Sequence, residues 1–152
     1  MRVRPGQDGD RAFMRDVLRW TALETYPELG ALGRLTLADR LDELFASYDR
    51  PGRRWWVAED PEGGRAGGVW ALVGNHPILE HLEAVLVAVA VAPEARGRGV
   101  GRAMLEAVRR DLGSEGVRHL RLFVRGGNSA ARHLYESTGF VPRALEMELG
   151  PV

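Results

Sequence analysis

A valine-rich run at residues 83–92 constrains the fold of this 152-residue chain more than any other feature. No polar residue interrupts the run after Glu83, and Pro93 ends it, a pattern that favours a strand buried on both faces over a helix. A turn with glycines at three alternate positions, Gly97, Gly99 and Gly101, comes next, and helical apolar spacing follows it. We therefore predict a central strand that is joined to a helix by a tight glycine turn.

This turn has the composition of an anion-binding cradle. Glycine lets the backbone turn sharply and approach a ligand closely, and the first N–H groups of a helix have no partner inside the helix. The helix dipole adds positive potential at the same amides, and Arg96, Arg98 and Arg102 add formal charge. The segment therefore favours a pyrophosphate ligand.

Other interpretations of the turn fit the sequence less well. A P-loop requires a lysine, and all 21 basic residues of this chain are arginines. A dinucleotide-binding fingerprint requires a third glycine at the position of Arg102. A nucleotide-binding regulator and a plain tight connection between strand and helix stay open as alternatives.

The composition narrows the classes of partner. The 21 acidic residues balance the basic ones, so no net field attracts nucleic acid or a membrane surface. The N-terminus lacks an apolar signal core and no apolar run could span a bilayer, so we expect a cytoplasmic protein. The absence of cysteine excludes disulfides, thiolate metal sites and a cysteine acyl-enzyme. We expect one domain over residues 1–152 and no metal site.

Hydrophobic periodicity and turn residues predict four helices and about six strands. The helices are expected from Asp8 or Asp10 to near Tyr26, over residues 37–48, from Val100 to about residue 112, and from Asn128 to Thr138. The strands are expected at residues 1–4, 54–59, 66–73, 83–92, 117–125 and 140–149. The strand–helix–strand unit around the glycine turn predicts parallel neighbours with a right-handed crossover.

Two motifs carry a family resemblance. The turn, written Arg96-x-x-Gly99-x-Gly101, resembles the acyl-CoA-binding motif of the GNAT superfamily of N-acetyltransferases. Residues 128–140 match a second GNAT segment, N-x-x-A-x-x-L-Y-x-x-x-G-F, one strand further along the chain. The resemblance covers residues 83–140 well and the first half only in its order of elements.

The resemblance implies an α/β (α+β) fold with a mixed, mostly antiparallel sheet, four flanking helices and two central parallel strands that splay apart. Acetyl-CoA would be the cosubstrate and would lie between these strands, bonded to the backbone of Val89 and Val91. The pyrophosphate would be held by Arg96 and by the backbone amides of Arg98, Gly99, Val100, Gly101 and Arg102. Asn128 would either cap the last helix or bond to the pantetheine arm.

The resemblance also implies catalytic roles. Tyr135 would protonate the departing CoA thiolate. Without the surrounding motif, a tyrosine at this position would indicate core packing. Glu83 would assist deprotonation of the amine, and Glu80 and His81 are alternatives for this role. The non-catalytic interpretation of Glu83 is a carboxylate at the end of a strand, exposed to solvent. Without a cysteine, the acetyl group would pass directly to a primary amine in a ternary complex.

Several questions stay open in the sequence. The acceptor is a small-molecule or peptide amine, and one of Trp55 and Trp56 is expected to face its pocket. A non-catalytic acyl-CoA-binding sensor or interaction module is the rival function. After Phe140 the chain offers one amphipathic strand, interrupted by Pro142, so an open sheet edge there permits strand exchange or a homodimer.

Overall fold

The computed structural model describes all 152 residues, and five strands form one sheet in the order β1-β2-β3-β4-β5. The strands are Arg2–Pro5 (β1), Arg53–Glu59 (β2), Arg65–Asn75 (β3), Leu82–Val91 (β4) and His119–Leu122 (β5). Neighbours from β1 to β4 are antiparallel, and β4 and β5 are parallel. The mixed, mostly antiparallel sheet is confirmed.

Four α-helices flank the sheet, as predicted. They are Arg11–Thr25 (α1), Arg34–Tyr48 (α2), Val100–Ser114 (α3) and Ser129–Ser137 (α4). Side chains of α1 and α2 pack on one face of the sheet, and those of α3 and α4 pack on the other face. None of these helices has the length and apolar character needed to cross a bilayer.

Adjacent tryptophans on β2 anchor the two cores. Trp55 packs against Trp70 beneath α1 and α2, with ring centroids 5.2 Å apart. Trp56 lies in the opposite core, where its Nε1–H donates to Asp111 at 2.9 Å. Both residues are at least 96% buried, so the prediction that one of them faces an acceptor pocket was wrong. Large apolar rings on either side of a strand are stabilised more by burial in two cores than by exposure.

A β-bulge on β4 separates it from β5. Trp70 pairs with Ala88 and Ala71 with Leu86, so Val87 is an extra residue on β4. A bulge bends its strand and reverses which face the following residues point to. Pairing between β4 and β5 accordingly stops at Leu86, while β4 continues to Val91. The predicted splay of the central parallel strands is confirmed, and the bulge provides its physical cause.

The strand predicted at residues 140–149 does not form, so the sheet has five strands rather than about six. No backbone hydrogen bond involves residues 141–152, and all of them are exposed. Pro142 has no N–H to give to a ladder, and β5 offers an edge of four residues. β5 is also shorter than predicted because its neighbour β4 leaves it after Leu86.

Asp10 joins the start of α1 to the sheet. Its side chain is 2% exposed and accepts hydrogen bonds from Arg4 at 2.7 and 3.0 Å, from Arg65 at 2.8 Å and from the Gln7 amide at 2.8 Å. These bonds, with those from Arg4 the largest cause, hold the pKa of Asp10 well below its usual range despite burial. Asp10 therefore closes the short 3-10 turn Asp8–Asp10 onto the Gln7 amide, and its buried carboxylate is the centre of an ion-pair cluster with Arg4 and Arg65.

Candidate active site

The glycine turn leaves a row of backbone amides free. Gly97 and Gly99 have φ of +76° and +79°, in the left-handed region that favours glycine. Gly99 precedes the first residue of α3, and no side chain caps this helix. No amide of residues 96–102 donates to a backbone carbonyl. Unpaired N–H groups at a helix N-terminus fit an anionic ligand, so the turn fits the pyrophosphate of a CoA ester.

Gly101 serves helix packing as well. A Cβ atom at this position would lie 2.8 Å from Cδ2 of Leu134, so glycine lets α3 and α4 approach each other. The sequence motif predicts only a ligand-binding role for this glycine. Its amide belongs to the free first turn, so the residue combines a packing role with the predicted binding role.

The three arginines surround the turn in different directions. The Nε–H of Arg96 donates to the Val91 carbonyl at 3.3 Å, and its Nη2 lies 3.9 Å from Glu24 of α1. Arg102 donates to the Ser137 hydroxyl at 3.0 Å, at the end of α4. Arg98 is exposed at the turn itself. The positive charge is therefore spread around the free amides, with Arg96 nearest to β4.

The splay leaves polar backbone groups of β4 without a strand partner. The Val89 amide donates to the hydroxyl oxygen of Thr21 in α1 at 3.2 Å, and the Val89 carbonyl lies 3.3 Å from the same hydroxyl. The Val91 carbonyl accepts a hydrogen bond from Arg96. Side chains thus occupy the bonds that a neighbouring strand would make. The structure brings Val89, Val91 and the glycine turn to the same end of β4, as a pseudo-strand ligand would require.

Thr21 was not identified as a site residue from the sequence. It follows Phe13 and Val17 along the apolar side of α1, and a hydroxyl on an apolar helix face is the signal that could have identified it. Its single hydroxyl proton lies between two carbonyl acceptors, Val17 at 2.9 Å and Val89 at 3.3 Å, and the shorter bond to Val17 is common for threonine inside a helix.

Tyr135 lies on α4 and is largely enclosed. Its ring packs edge-on against Phe140, with centroids 5.8 Å apart, and against the core beneath α3. Burial first, and then the negative charge of Glu24, raise the pKa of Tyr135 to about 12. Glu24 of α1 is thus within electrostatic range of Tyr135, and it lies 3.9 Å from Arg96 beside the end of β4.

Asn128 caps α4, which confirms one of the two roles predicted for it. Its Oδ1 accepts a hydrogen bond from the Ala131 amide at 3.2 Å. The side-chain NH₂ group has no partner within the chain and can donate to a ligand carbonyl. One face of the amide thus fixes the helix while the other stays free.

Glu83 is not brought together with these groups. It is buried at the start of β4, where it accepts a hydrogen bond from Arg121 at 3.0 Å and lies 3.8 Å from Nε2 of His81. Six strand residues, or roughly 20 Å, separate Glu83 from Val89. Burial first, and then His119 and His76, lower the pKa of His81.

The end of α1 reaches the segment that follows β5. The Arg125 guanidinium lies 5.0 Å from the ring centroid of Tyr26, which ties this end of the helix to the segment after β5. Tyr26 remains 44% exposed and Glu28 is exposed beside it. Glu24, also half exposed, completes an acidic and aromatic rim.

Comparisons with known proteins agree with this arrangement. The profile described as "Acetyltransferase (GNAT) family" matches residues 15–140. A mycothiol acetyltransferase of Beutenbergia cavernae is 35% identical over 130 residues, which is 85% of this chain and 41% of that protein. A mycothiol acetyltransferase of Amycolatopsis mediterranei is 35% identical over 159 aligned positions, covering 96% of this chain and 47% of that protein. A variant of the BH1408 protein from Bacillus halodurans has the same fold, with a TM-score of 0.81, 19% identity and full coverage of both chains.

The fold and the two motifs define a GNAT-type acyltransferase domain. The chain belongs to the GNAT family of acetyltransferases, whose cosubstrate is acetyl-CoA. It spans less than half the length of the curated relatives named above.

Proposed function

We propose that this chain transfers an acetyl group from acetyl-CoA to a primary amine within a ternary complex. One observation carries the proposal: the edge of β4 at Val89 and Val91, which has no neighbouring strand, ends at the free amides of residues 96–102. A thioester arm and its pyrophosphate require these two features side by side. The family membership supports the same activity.

The chain's own residues would hold acetyl-CoA as the motifs predict. The pyrophosphate would be held by Arg96 and by the backbone amides of Arg98, Gly99, Val100, Gly101 and Arg102. Val89 and Val91 would bond to the pantetheine arm, and the free NH₂ of Asn128 would donate to one of its carbonyls. The bound cosubstrate would supply the activated acetyl thioester.

The Val89 amide would stabilise charge on the thioester oxygen. Attack by the amine forms a C–N bond, and the carbonyl oxygen gains negative charge before the C–S bond breaks. A fixed N–H aimed at that oxygen lowers the barrier. In the free chain the Val89 amide donates to the Thr21 hydroxyl oxygen at 3.2 Å, so this hydrogen bond must break before the amide can bind the thioester oxygen.

Tyr135 would donate to the departing sulfur. A raised pKa of about 12 keeps its phenol protonated at any ordinary working pH, so the proton is always present. The sulfur leaves as CoA thiol after taking this proton, and solvent restores the phenol. With no cysteine in the chain, the acetyl group has no thiol carrier and passes directly to nitrogen.

The amine must lose a proton to react. A carboxylate beside the end of β4 would attract the ammonium form and receive its proton, directly or through water. Glu24 fits this role better than Glu83, because it lies 3.9 Å from Arg96 beside the end of β4, whereas Glu83 is paired with Arg121 at the start of that strand. We therefore propose Glu24 for the amine and an ion-pairing role for Glu83.

We propose a small-molecule amine related to mycothiol as the acceptor, because both relatives described above are mycothiol acetyltransferases by name. The acidic rim of Glu24 and Glu28 suits a cationic amine. A peptide amine is the second candidate. A cytoplasmic location and a homodimer remain predictions from the sequence.

The test is release of CoA thiol from acetyl-CoA in the presence of mycothiol-type amines, simple polyamines and a lysine peptide. Turnover with an amine, accompanied by an acetylated product of matching mass, supports the proposal. If the chain binds acetyl-CoA but acetylates none of a broad amine panel, the non-catalytic sensor becomes the better account.

A further inference from the structure

Three of the four histidines of the chain lie together at one end of the sheet. His76 and His81 bracket the loop between β3 and β4, and His119 is the first residue of β5. The ring centroids of His76 and His81 are 5.5 Å apart, and those of His81 and His119 are 4.7 Å apart. This histidine cluster joins the loop to the start of β5, at the opposite end of β4 from the glycine turn.

The imidazole of His76 holds the loop by accepting hydrogen bonds. Its Nδ1 accepts from the backbone amides of Ile78 at 3.1 Å and of Leu79 at 3.0 Å. A ring nitrogen that accepts a hydrogen bond carries no proton, so the closed loop requires a neutral His76 with its proton on Nε2. Protonation of Nδ1 would place an N–H against two N–H donors and break both bonds.

Few other contacts keep the loop closed. The His76 amide donates to the His81 carbonyl at 2.8 Å, and the Glu80 amide donates to the His76 carbonyl at 3.0 Å. Glu80 has a φ of +56°, a left-handed conformation that residues other than glycine rarely adopt. Ile78 and Leu79 are 80% and 64% exposed, so apolar burial contributes little. The closed loop is therefore a strained turn that is fastened mainly by polar contacts to its two histidines.

The surroundings of His81 act in the same direction. Partial burial first, and then His119 and His76, lower the pKa of His81. Glu83 favours the protonated form from 3.8 Å, but its carboxylate also accepts a hydrogen bond from Arg121 at 3.0 Å. The closed loop therefore favours the neutral form of both of its imidazoles. The other charged groups near the cluster are Glu80 in the loop and Arg118 before β5.

We propose that residues 76–81 form a proton-sensitive latch, which is closed at neutral pH and opens at mildly acidic pH. An imidazole in the open loop is free, and a free histidine has a pKa of about 6.5. Because closure favours the neutral form, stabilisation of the closed loop is complete above this pH and is lost as pH falls below it. Opening releases the amides of Ile78 and Leu79 and moves His81 away from the buried carboxylate of Glu83. The latch goes beyond the proposed enzymatic function and does not depend on it.

Hydrogen exchange measured by NMR on the whole chain tests the latch. The protection factors of the Ile78 and Leu79 amides, which correct for the intrinsic pH dependence of exchange, should fall about tenfold or more between pH 7.5 and pH 5.5. One histidine that is excluded from protonation in the closed loop gives about this change. The ¹⁵N shift of His76 Nδ1 should move to its protonated value with the same midpoint. Constant protection, or a protonated Nδ1 beside amides that stay protected, would overturn the proposal.

Substitution of His76 separates the proton from the shape of the loop. In His76→Asn, the side-chain oxygen can accept from the same two amides and does not titrate, so protection should persist at both pH values. His76→Ala offers no acceptor and should leave the amides unprotected at both. His133→Asn is the matched control, since His133 is exposed on α4 outside the cluster, and it should retain the natural pH response. Loss of protection at acid pH in His76→Asn, or protected amides in His76→Ala, would overturn the latch.

Discussion

The hydroxyl oxygen of Thr21 lies 3.2 Å from the backbone nitrogen of Val89, across the gap that opens where β4 leaves β5. The bond joins α1 to the stretch of β4 that has lost its strand neighbour. It satisfies an amide that would otherwise be unpaired, and the proposed mechanism requires the same amide for the thioester. Binding of acetyl-CoA therefore competes with a contact that stabilises the free chain.

Thr21→Val keeps the shape of the side chain and removes the hydroxyl. The free chain should lose about 1 kcal/mol of unfolding free energy, because the Val89 amide is left without a partner. Affinity for acetyl-CoA should increase severalfold, since the ligand no longer displaces a bond. Chemical denaturation and calorimetric titration measure the two effects, with Thr21→Ser as the control that retains both values. Weaker binding by the valine variant would mean that the hydroxyl holds the ligand.

Tyr135→Phe removes the proposed proton donor and leaves the ring. We expect kcat to fall about a hundredfold, with the dissociation constant for acetyl-CoA nearly unchanged, because the phenol acts on the departing sulfur. Steady-state kinetics and titration separate the two quantities. Tyr48→Phe is the matched control, since Tyr48 packs edge-on against Trp70 in the other core. Unchanged turnover in Tyr135→Phe would remove this residue from the mechanism.

Glu24→Gln and Glu83→Gln distinguish two carboxylates. The first should lower kcat/KM for the amine about tenfold or more, because it removes the charge beside the end of β4 that receives the ammonium group. The second should lower thermal stability through loss of the Arg121 ion pair and leave kcat/KM nearly unchanged. The reverse result would restore Glu83 as the residue that deprotonates the amine.

Asp10→Asn should destabilise the chain by about 2–3 kcal/mol at pH 7, because the charged hydrogen bonds to Arg4 and Arg65 are weakened while Arg4 keeps Glu59. The folded-state pKa of Asp10 lies below its unfolded value, so its stabilisation is complete above about pH 5 and is lost as pH falls below the unfolded pKa of about 4. The difference between natural chain and variant should therefore shrink at acid pH. Denaturant unfolding from pH 3 to 7 measures it, with exposed Asp8→Asn as the control. A difference that stays constant with pH would contradict the ion-pair account.

Features encoded by nearby residues were predictable from the sequence. The glycine turn, the helix after it and the buried character of β4 depend on turn chemistry and local periodicity, and all of them are found. The cap by Asn128 follows from the same local rules. The positions of the glycine turn and of the start of α3 could therefore be predicted to within one or two residues.

Features that depend on distant partners could not be predicted. The bulge at Val87 is defined by its pairing with β3, and the bond between Thr21 and Val89 joins residues 68 positions apart. The packing role of Gly101 depends on Leu134 in another helix. Residues 140–149 alternate like a strand, yet alternation gives no information on whether an edge is available within the same chain.

Calorimetric titration of the purified chain with acetyl-CoA, using ATP and NAD as comparison ligands, tests the central claim most directly. The account predicts one site per chain with micromolar affinity for acetyl-CoA and much weaker binding of the other two ligands. A folded protein that does not bind acetyl-CoA, or that binds ATP or NAD more tightly, would contradict the assignment of the β4 edge and the glycine turn to a CoA thioester.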